Sequence, residues 1–184
     1  GPGSLRLTNG LVEKRNVALA VDLGGVAKGY AIDRAIEILA KAGVEYASVN
    51  AGGDMRLLGD RSGVPWRIGI QHPRQNGKVL ARLQLADRAV VTSGDYERYF
   101  EQDGVRYHHI LDPASGTPAR MCQAVTVVTD QAALADALAT AAFVLGPLKG
   151  MMLLEETADA EGLIVAADGS VEVSSGLRGE IEWR

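Results

Sequence analysis

Short apolar runs that alternate with turn signals are the feature that most constrains how this chain folds. Their content of Val, Ile, Thr and aromatic residues and their spacing predict nine strands, at residues 17–22, 46–50, 66–71, 79–85, 89–92, 104–110, 124–129, 162–166 and 171–174. The sequences "NGK" and "ADGS" between such runs are typical of hairpin turns. At least three consecutive pairs of strands are therefore expected to lie side by side.

Three segments have helical rather than strand periodicity. A stripe of Ala27, Ala31, Ala35 and Leu39 predicts a helix over 27–42. Two more helices are expected at 131–145, after a capping Thr129 or Asp130, and at 151–157. Helices combined with hairpin-connected strands predict an α+β fold, with a largely antiparallel sheet and packed helices.

Composition limits the classes of protein to consider. The 184 residues have 47% hydrophobic content and a net charge of −4, which suits one globular domain and, without a Lys/Arg cluster, predicts no nucleic-acid interface. No apolar run approaches the roughly 20 residues that are needed to span a bilayer, so no membrane-spanning segment is expected. A single cysteine excludes an internal disulfide and a thiolate zinc cluster. The opening "GPGS" is typical of an expression-tag remnant, so the domain is expected to occupy residues 5–184.

The stretch "DLGGVAKGY" at residues 22–30 joins an apolar run to the first helix. Glycines before a helix N-terminus allow an anion to approach free N–H groups, as in phosphate-binding loops. The spacing, however, matches neither the dinucleotide-binding nor the P-loop motif. Local features alone leave two interpretations open, an anion-binding loop and an ordinary turn with a solvated Lys28.

A lone acid marks the second helix. In "QAALADALATAAFVLG", Asp136 is the only charged residue, and Thr140 lies one turn further along the same face. An Asp and a Thr hydroxyl so placed offer two oxygen ligands to a hard cation such as Mg²⁺. The alternative is an Asp near the helix start that is exposed or favoured by the helix dipole.

The segment "VRYHHILDPASGTPA" contains two adjacent histidines and a turn. Side chains alternate along a strand, so His108 and His109 are expected on opposite faces. A histidine can accept a proton near neutral pH, and Asp112 is close enough in sequence to hold the loop or orient it. Two adjacent histidines without a catalytic role remain the alternative.

Five segments in this order resemble the ApbE-like flavin transferases, the FAD:protein FMN transferases, from about residue 11 to the end. They are "DLGGVAKGYAIDRA", "NAGGD", "TSGDYERYF", "HHILDPASGTP" and "ADALATAAFVLG". The resemblance implies a T-fold-like architecture and a magnesium- or other divalent-ion-dependent reaction. In that reaction the FMN moiety of FAD is transferred to a Ser or Thr hydroxyl of an acceptor protein, and AMP is released.

The resemblance also assigns site residues. It implies FAD contacts at Asp22, Gly24, Lys28 and Ile110, metal ligands at the Gly25 carbonyl, Asp136 and Thr140, and catalytic roles for His109 and Asp112. His109, or Asp112 through it, is expected to accept the proton of the incoming hydroxyl.

Family members usually have a further N-terminal portion, so the chain is expected to be the C-terminal part of a flavin transferase or a shortened relative. The expected partners are FAD and a flavin-acceptor protein, with a homodimer as one expected assembly. The resemblance implies a lipoprotein at the periplasmic face of the bacterial inner membrane, attached only through an N-terminal anchor that this chain lacks. A metal-dependent FAD pyrophosphatase and a non-catalytic flavin-binding fragment are the alternatives.

Overall fold

A computed structural model describes residues 5–184, and the expected tag remnant at residues 1–4 lies outside this range. Two helices, α1 (Ala27–Lys41) and α2 (Ala132–Glu156), accompany thirteen strands. The strands are β1 (Leu5–Thr8), β2 (Leu11–Lys14), β3 (Ala47–Ala51), β4 (Asp54–Leu58), β5 (Trp66–Gln71), β6 (Val79–Leu85), β7 (Ala89–Gly94), β8 (Tyr99–Gln102), β9 (Val105–His108), β10 (Cys122–Thr129), β11 (Glu161–Ala166), β12 (Val171–Val173) and β13 (Glu182–Trp183).

A six-stranded sheet with the order β12-β11-β10-β7-β4-β3 forms the centre of the fold. All its ladders are antiparallel. Strand β10 is buried along all eight residues, because the alternation of side chains places Val125 and Val127 in one core and Ala124 and Val128 in another. The sheet is therefore covered on both faces.

The two faces of this sheet are covered by different elements. Both helices pack on one face, where Ile32 of α1 and Phe143 of α2 join the core. On the other face, a three-stranded antiparallel sheet with the order β13-β6-β5 supplies Ile70 and Leu83. Two hairpins, β1-β2 and β8-β9, lie outside these three layers. The expected α+β fold with a largely antiparallel sheet is confirmed.

The two helices cap each other at their N-termini. Asp33, in the second turn of α1, accepts hydrogen bonds from the first N–H groups of α2, at Ala132 (2.8 Å) and Ala133 (2.9 Å). In return, Asp136 of α2 accepts one from the N–H of Gly29 in α1 (3.0 Å). The expected cap at Thr129 or Asp130 is wrong, because Gln131 is the N-cap residue without a side-chain bond and the cap comes from the other helix.

Most predicted strands are confirmed within a few residues, but the strand predicted over 17–22 is wrong. That segment is a loop in which Lys14 and Asn16 bond to the backbone of Leu19 and Ala18. Its apolar content does not make it a strand because no neighbouring strand pairs with it. Conversely, β1, β2, β4, β8 and β13 were not predicted.

Helix α2 joins the two helices that were predicted at 131–145 and 151–157. The chain bends at Gly146 (φ 80°, ψ 174°), directly before Pro147, so the predicted interruption is present as a kink. The joined helix is long and apolar enough to cross a membrane, by length and composition alone. The expectation that no segment of the chain would be long enough is therefore wrong. Buried Phe143 and Leu154 pack in the core beneath the sheet, as is typical of a core helix in a globular protein.

Replacing Gly29 with Ala should destabilise the protein by about 1–3 kcal/mol, the usual cost of overpacking. A Cβ there would lie 2.2 Å from the carbonyl oxygen of Ala132, so the two helices would have to separate. At an open helical position the same change would stabilise the protein. Chemical denaturation measures the free energy of unfolding. Gly179→Ala is the control, because nothing lies within 4 Å of its added Cβ; an unchanged or higher stability of Gly29→Ala would contradict the close approach.

Candidate functional site

The N-termini of α1 and α2 meet the start of β4 and the end of β7 at one polar cluster. Lys28 and Gly29 come from α1, and Asp136 and Thr140 come from α2. The sheet adds side chains from Asp54, at the start of β4, and Ser93, near the end of β7. We call this set, together with Gly25, the interhelical cluster.

The three predicted metal ligands lie together in the interhelical cluster. Asp136 is buried, and its Oδ2 accepts the N–H of Gly29. Thr140 lies one turn further along α2, with its Oγ1 3.2 Å from Ser93 Oγ. A Cβ on Gly25 would lie 3.7 Å from the same Thr140 oxygen, so the backbone of the glycine loop passes directly beside it.

These residues fit a hard cation in their chemistry. A carboxylate, a hydroxyl and a backbone carbonyl are the oxygen donors that Mg²⁺ and Ca²⁺ take in proteins. Oδ1 of Asp136 makes no hydrogen bond to any other residue within 5–184, so it is free to bind a ligand. Within the same range no three His, Cys, Asp or Glu side chains come together, so an ion here would need water or phosphate to complete its shell.

Lys28 and Asp54 form an ion pair near Asp136. Lys28 Nζ lies 2.7 Å from Asp54 Oδ2; the lysine side chain is 43% exposed and the carboxylate 2% exposed. Asp54 Oδ1 accepts the N–H of Thr92 (3.1 Å). Burial raises the pKa of Asp54, Lys28 and the Thr92 N–H oppose this, and the nearby Asp136 carboxylate adds to the increase. The site therefore holds two neighbouring carboxylates, of which Asp54 is paired with Lys28.

Asp22 and Gly24 form a tight turn just before α1. Asp22 Oδ1 accepts the N–H of Gly24 at 2.6 Å. A Cβ on Gly24 would lie 2.9 Å from that oxygen, so the turn favours glycine. Both residues are exposed beside the interhelical cluster. Their assignment as FAD contacts remains a prediction.

The two histidines face opposite ways, as the strand alternation predicts. His108 is buried between Ala119 and Ile110, with Nε2 2.8 Å from the Ala119 carbonyl and Nδ1 accepting the N–H of Ile110. Burial lowers the pKa of His108. His109 is exposed, with Nδ1 3.3 Å from the carbonyl of Arg98. A bond from Nδ1–H to that carbonyl leaves Nε2 as the basic nitrogen.

Asp112 and Ile110 are not brought to the interhelical cluster by any described contact. Asp112 accepts the N–H of Ala114 (2.9 Å), and this bond and the Ser115 hydroxyl lower its pKa. Its hydrogen bonds within residues 5–184 stay in its own turn, so it makes none to His109. The Ile110 side chain is buried in the core. The predicted catalytic role of Asp112 and the flavin contact at Ile110 remain predictions.

Sequence reasoning assigned no role to Asp54, Thr92 or Ser93. Their segments, "NAGGD" and "TSGDYERYF", entered the sequence analysis only through the family resemblance. The sequence did contain one signal for Asp54, which is its position directly after Gly52 and Gly53. Both glycines have positive φ in the structure. These glycines form the turn of the β3-β4 hairpin and return the chain to the site.

Comparisons with known proteins show the family of this chain. The model of the ApbE family matches residues 2–164. A FAD:protein FMN transferase of Rhodobacter capsulatus is 38% identical over 97% of this chain and 34% of its own length. One from Vibrio cholerae is 42% identical over 82% of this chain and 46% of its own length.

Solved structures show the same fold. The ApbE protein of Thermotoga maritima superimposes with a TM-score of 0.90 and 41% identity, over 98% of this chain and 60% of that one. The flavin transferase ApbE from Vibrio cholerae gives a TM-score of 0.83 and 35% identity, over 98% and 59%. The chain thus spans between a third and three fifths of the length of these relatives. With a match over most of its residues, it belongs to the ApbE family.

Proposed function

We propose that this chain provides the metal- and nucleotide-binding part of an FAD:protein FMN transferase. The observation that carries the proposal is the interhelical cluster, in which Gly25, Lys28, Asp136 and Thr140 lie together. Relatives that match most of this chain are named FAD:protein FMN transferases. FAD is the proposed substrate and Mg²⁺, or another divalent ion, the proposed metal.

The N-terminus of α1, which follows the glycine loop, favours a negatively charged ligand at this place. Asp136, Thr140 and the Gly25 carbonyl would hold the ion, and the exposed side of Lys28 would contact a phosphate. When bound, the ion would neutralise the negative charge that develops on the oxygen between the two phosphorus atoms. The chain's own contribution is then mostly positioning and charge, which is what phosphoryl-type transfer requires.

The proposed reaction exchanges one phosphorus–oxygen bond for another. The acceptor hydroxyl oxygen bonds to the FMN phosphorus, and the bond from that phosphorus to the bridging oxygen breaks. The bridging oxygen leaves as part of AMP. His109 takes the hydroxyl proton on Nε2, which its Nδ1 contact with Arg98 leaves available. Asp112 stabilises the turn that follows His109 by accepting the N–H of Ala114. Its proposed catalytic role is to act through His109.

The location and partners belong to the same proposal. The family resemblance supports an acceptor protein that offers a Ser or Thr hydroxyl. It also supports a lipoprotein at the periplasmic face of the inner membrane. A homodimer is the proposed assembly.

Incubation of the chain with FAD, Mg²⁺ and an acceptor protein should attach FMN covalently to one Ser or Thr and release AMP in equal amount. Intact-protein and peptide mass spectrometry locate the adduct, and chromatography measures AMP. Free FMN and AMP without an adduct would indicate a pyrophosphatase instead. Bound but unchanged FAD would indicate a flavin-binding module. Either result contradicts transfer by this chain.

Asp136→Asn should weaken Mg²⁺ binding at least about tenfold, because a neutral amide is a poorer ligand than a carboxylate. Asn is preferred to Ala because its amide oxygen can still accept the N–H of Gly29 and preserve the cap. Calorimetric titration of Mg²⁺ in the presence of ADP measures the affinity.

Asp33→Asn is the matched control for Asp136→Asn. Asp33 makes the same kind of cap at the other helix and is also buried. It should lower stability without changing Mg²⁺ affinity. Equal affinities of the wild type and Asp136→Asn would remove Asp136 from the metal site.

His109→Ala should reduce the transfer rate by at least about two orders of magnitude, the usual contribution of a positioned general base. His108→Asn should mainly lower stability, because His108 is buried and bonded to Ala119 and Ile110. The rate of transfer is measured per folded protein, with folding followed by circular dichroism. A similar loss of rate in both variants would contradict the assignment of His109 as the base.

A further inference from the structure

We propose that Asp54 is a positioning residue that fixes the Lys28 ammonium group where it binds a phosphate of the nucleotide. The inference rests on the proposed function for the identity of the nucleotide. Lys28 is expected to contact FAD by family resemblance, whereas Asp54 is placed in the site by the structure alone. Asp54 itself is not proposed to touch the nucleotide, because its carboxylate is 2% exposed.

Asp54 is a rigid anchor. It is the first residue of β4, and the hairpin register places it opposite Ala51 of β3. Its Oδ1 is fixed by the N–H of Thr92, which belongs to β7, the next strand of the sheet. The carboxylate is therefore held by two adjacent strands of the central sheet.

The other oxygen of Asp54 is directed at Lys28. Oδ2 is buried, forms no regular hydrogen bond within residues 5–184, and has the Lys28 ammonium 2.7 Å away. A buried carboxylate oxygen is costly unless a charge compensates it. Lys28 is the group that does so. The pair is thus kept together by burial of the carboxylate rather than by surface attraction.

Lys28 needs such an anchor to act at a defined place. Its four-carbon side chain is flexible, and ordering it costs conformational entropy. The Asp54 contact lies on one side of the ammonium group, and the 43% exposed side chain leaves N–H groups accessible to a ligand. Part of the entropy cost is therefore met before a ligand binds, and phosphate affinity increases accordingly.

A purely electrostatic role for Asp54 makes the opposite prediction. A second carboxylate close to Asp136 adds negative charge to the site. If charge alone mattered, removal of Asp54 would strengthen the binding of a phosphate anion. If positioning of Lys28 dominates, removal of Asp54 weakens it. The sign of the change separates the two roles.

The test measures the affinity of the chain for ADP with Mg²⁺ present, by calorimetry, for four proteins: wild type, Asp54→Asn, Lys28→Gln and the double variant. ADP carries a diphosphate but no flavin, so its binding does not depend on transfer. We expect a loss of about tenfold for each single variant. The double variant should be no weaker than Lys28→Gln, because Asp54 acts through Lys28.

The matched control is Asp95→Asn. Asp95 is another buried carboxylate, paired with Arg74 (2.6 Å) outside the interhelical cluster. It should lower the melting temperature without changing ADP affinity. If Asp54→Asn does not fold, Asp54→Ala replaces it, because Ala removes the buried oxygens that would otherwise need partners.

Three results would overturn the inference. They are tighter or unchanged ADP binding in Asp54→Asn, additive losses in the double variant, and no ADP binding by the wild type. The proposed function fails separately. If the expected affinities are found but no flavin reaches an acceptor, transfer is refuted and the role of Asp54 stands.

Discussion

The reciprocal capping of α1 and α2 is the interaction on which the rest of the structure depends. Asp33 satisfies the first N–H groups of α2, and Asp136 satisfies one of α1. Each cap is worth about 1 kcal/mol, and together they fix which ends of the helices meet. Gly29 allows this meeting because any side chain there would strike the backbone of α2. The glycine loop and the start of β4 with Asp54 are thereby brought to one place.

Stability and the candidate site share the same carboxylate. A charged residue in an apolar helix is costly when buried alone, and the hydrogen bond from Gly29 offsets part of that cost. One oxygen of Asp136 is used for the cap, and the other makes no hydrogen bond within residues 5–184. The same side chain can therefore order the helix pair and bind a ligand. The exposed acid that the sequence offered as an alternative is wrong, because Asp136 is buried and caps the other helix. Its role as a metal ligand remains a prediction.

Local sequence patterns correctly predicted the elements whose own residues show a clear helix or strand periodicity. The helix α1 and the strands β5 and β6 begin and end at or within one residue of the predicted bounds. The strand predicted over 17–22 was wrong because apolar content does not supply a pairing partner. Strand β4 was missed because its strand conformation depends on hydrogen bonds to the neighbouring strands β3 and β7. A local sequence pattern does not show these partners. The cap of α2 was missed because the carboxylate that accepts its first N–H groups, that of Asp33, lies about 100 residues away in sequence.

Periodicity and ordered motifs were enough to predict the α+β class, the family resemblance and the residue types at the site. Alternation along one strand was likewise enough to place His108 and His109 on opposite faces. The pairing of Asp54 with Lys28 and the contact of Ser93 with Thr140 became visible only in the folded chain. These contacts join segments whose distance in space is set by sheet order and helix packing, which a local pattern does not encode.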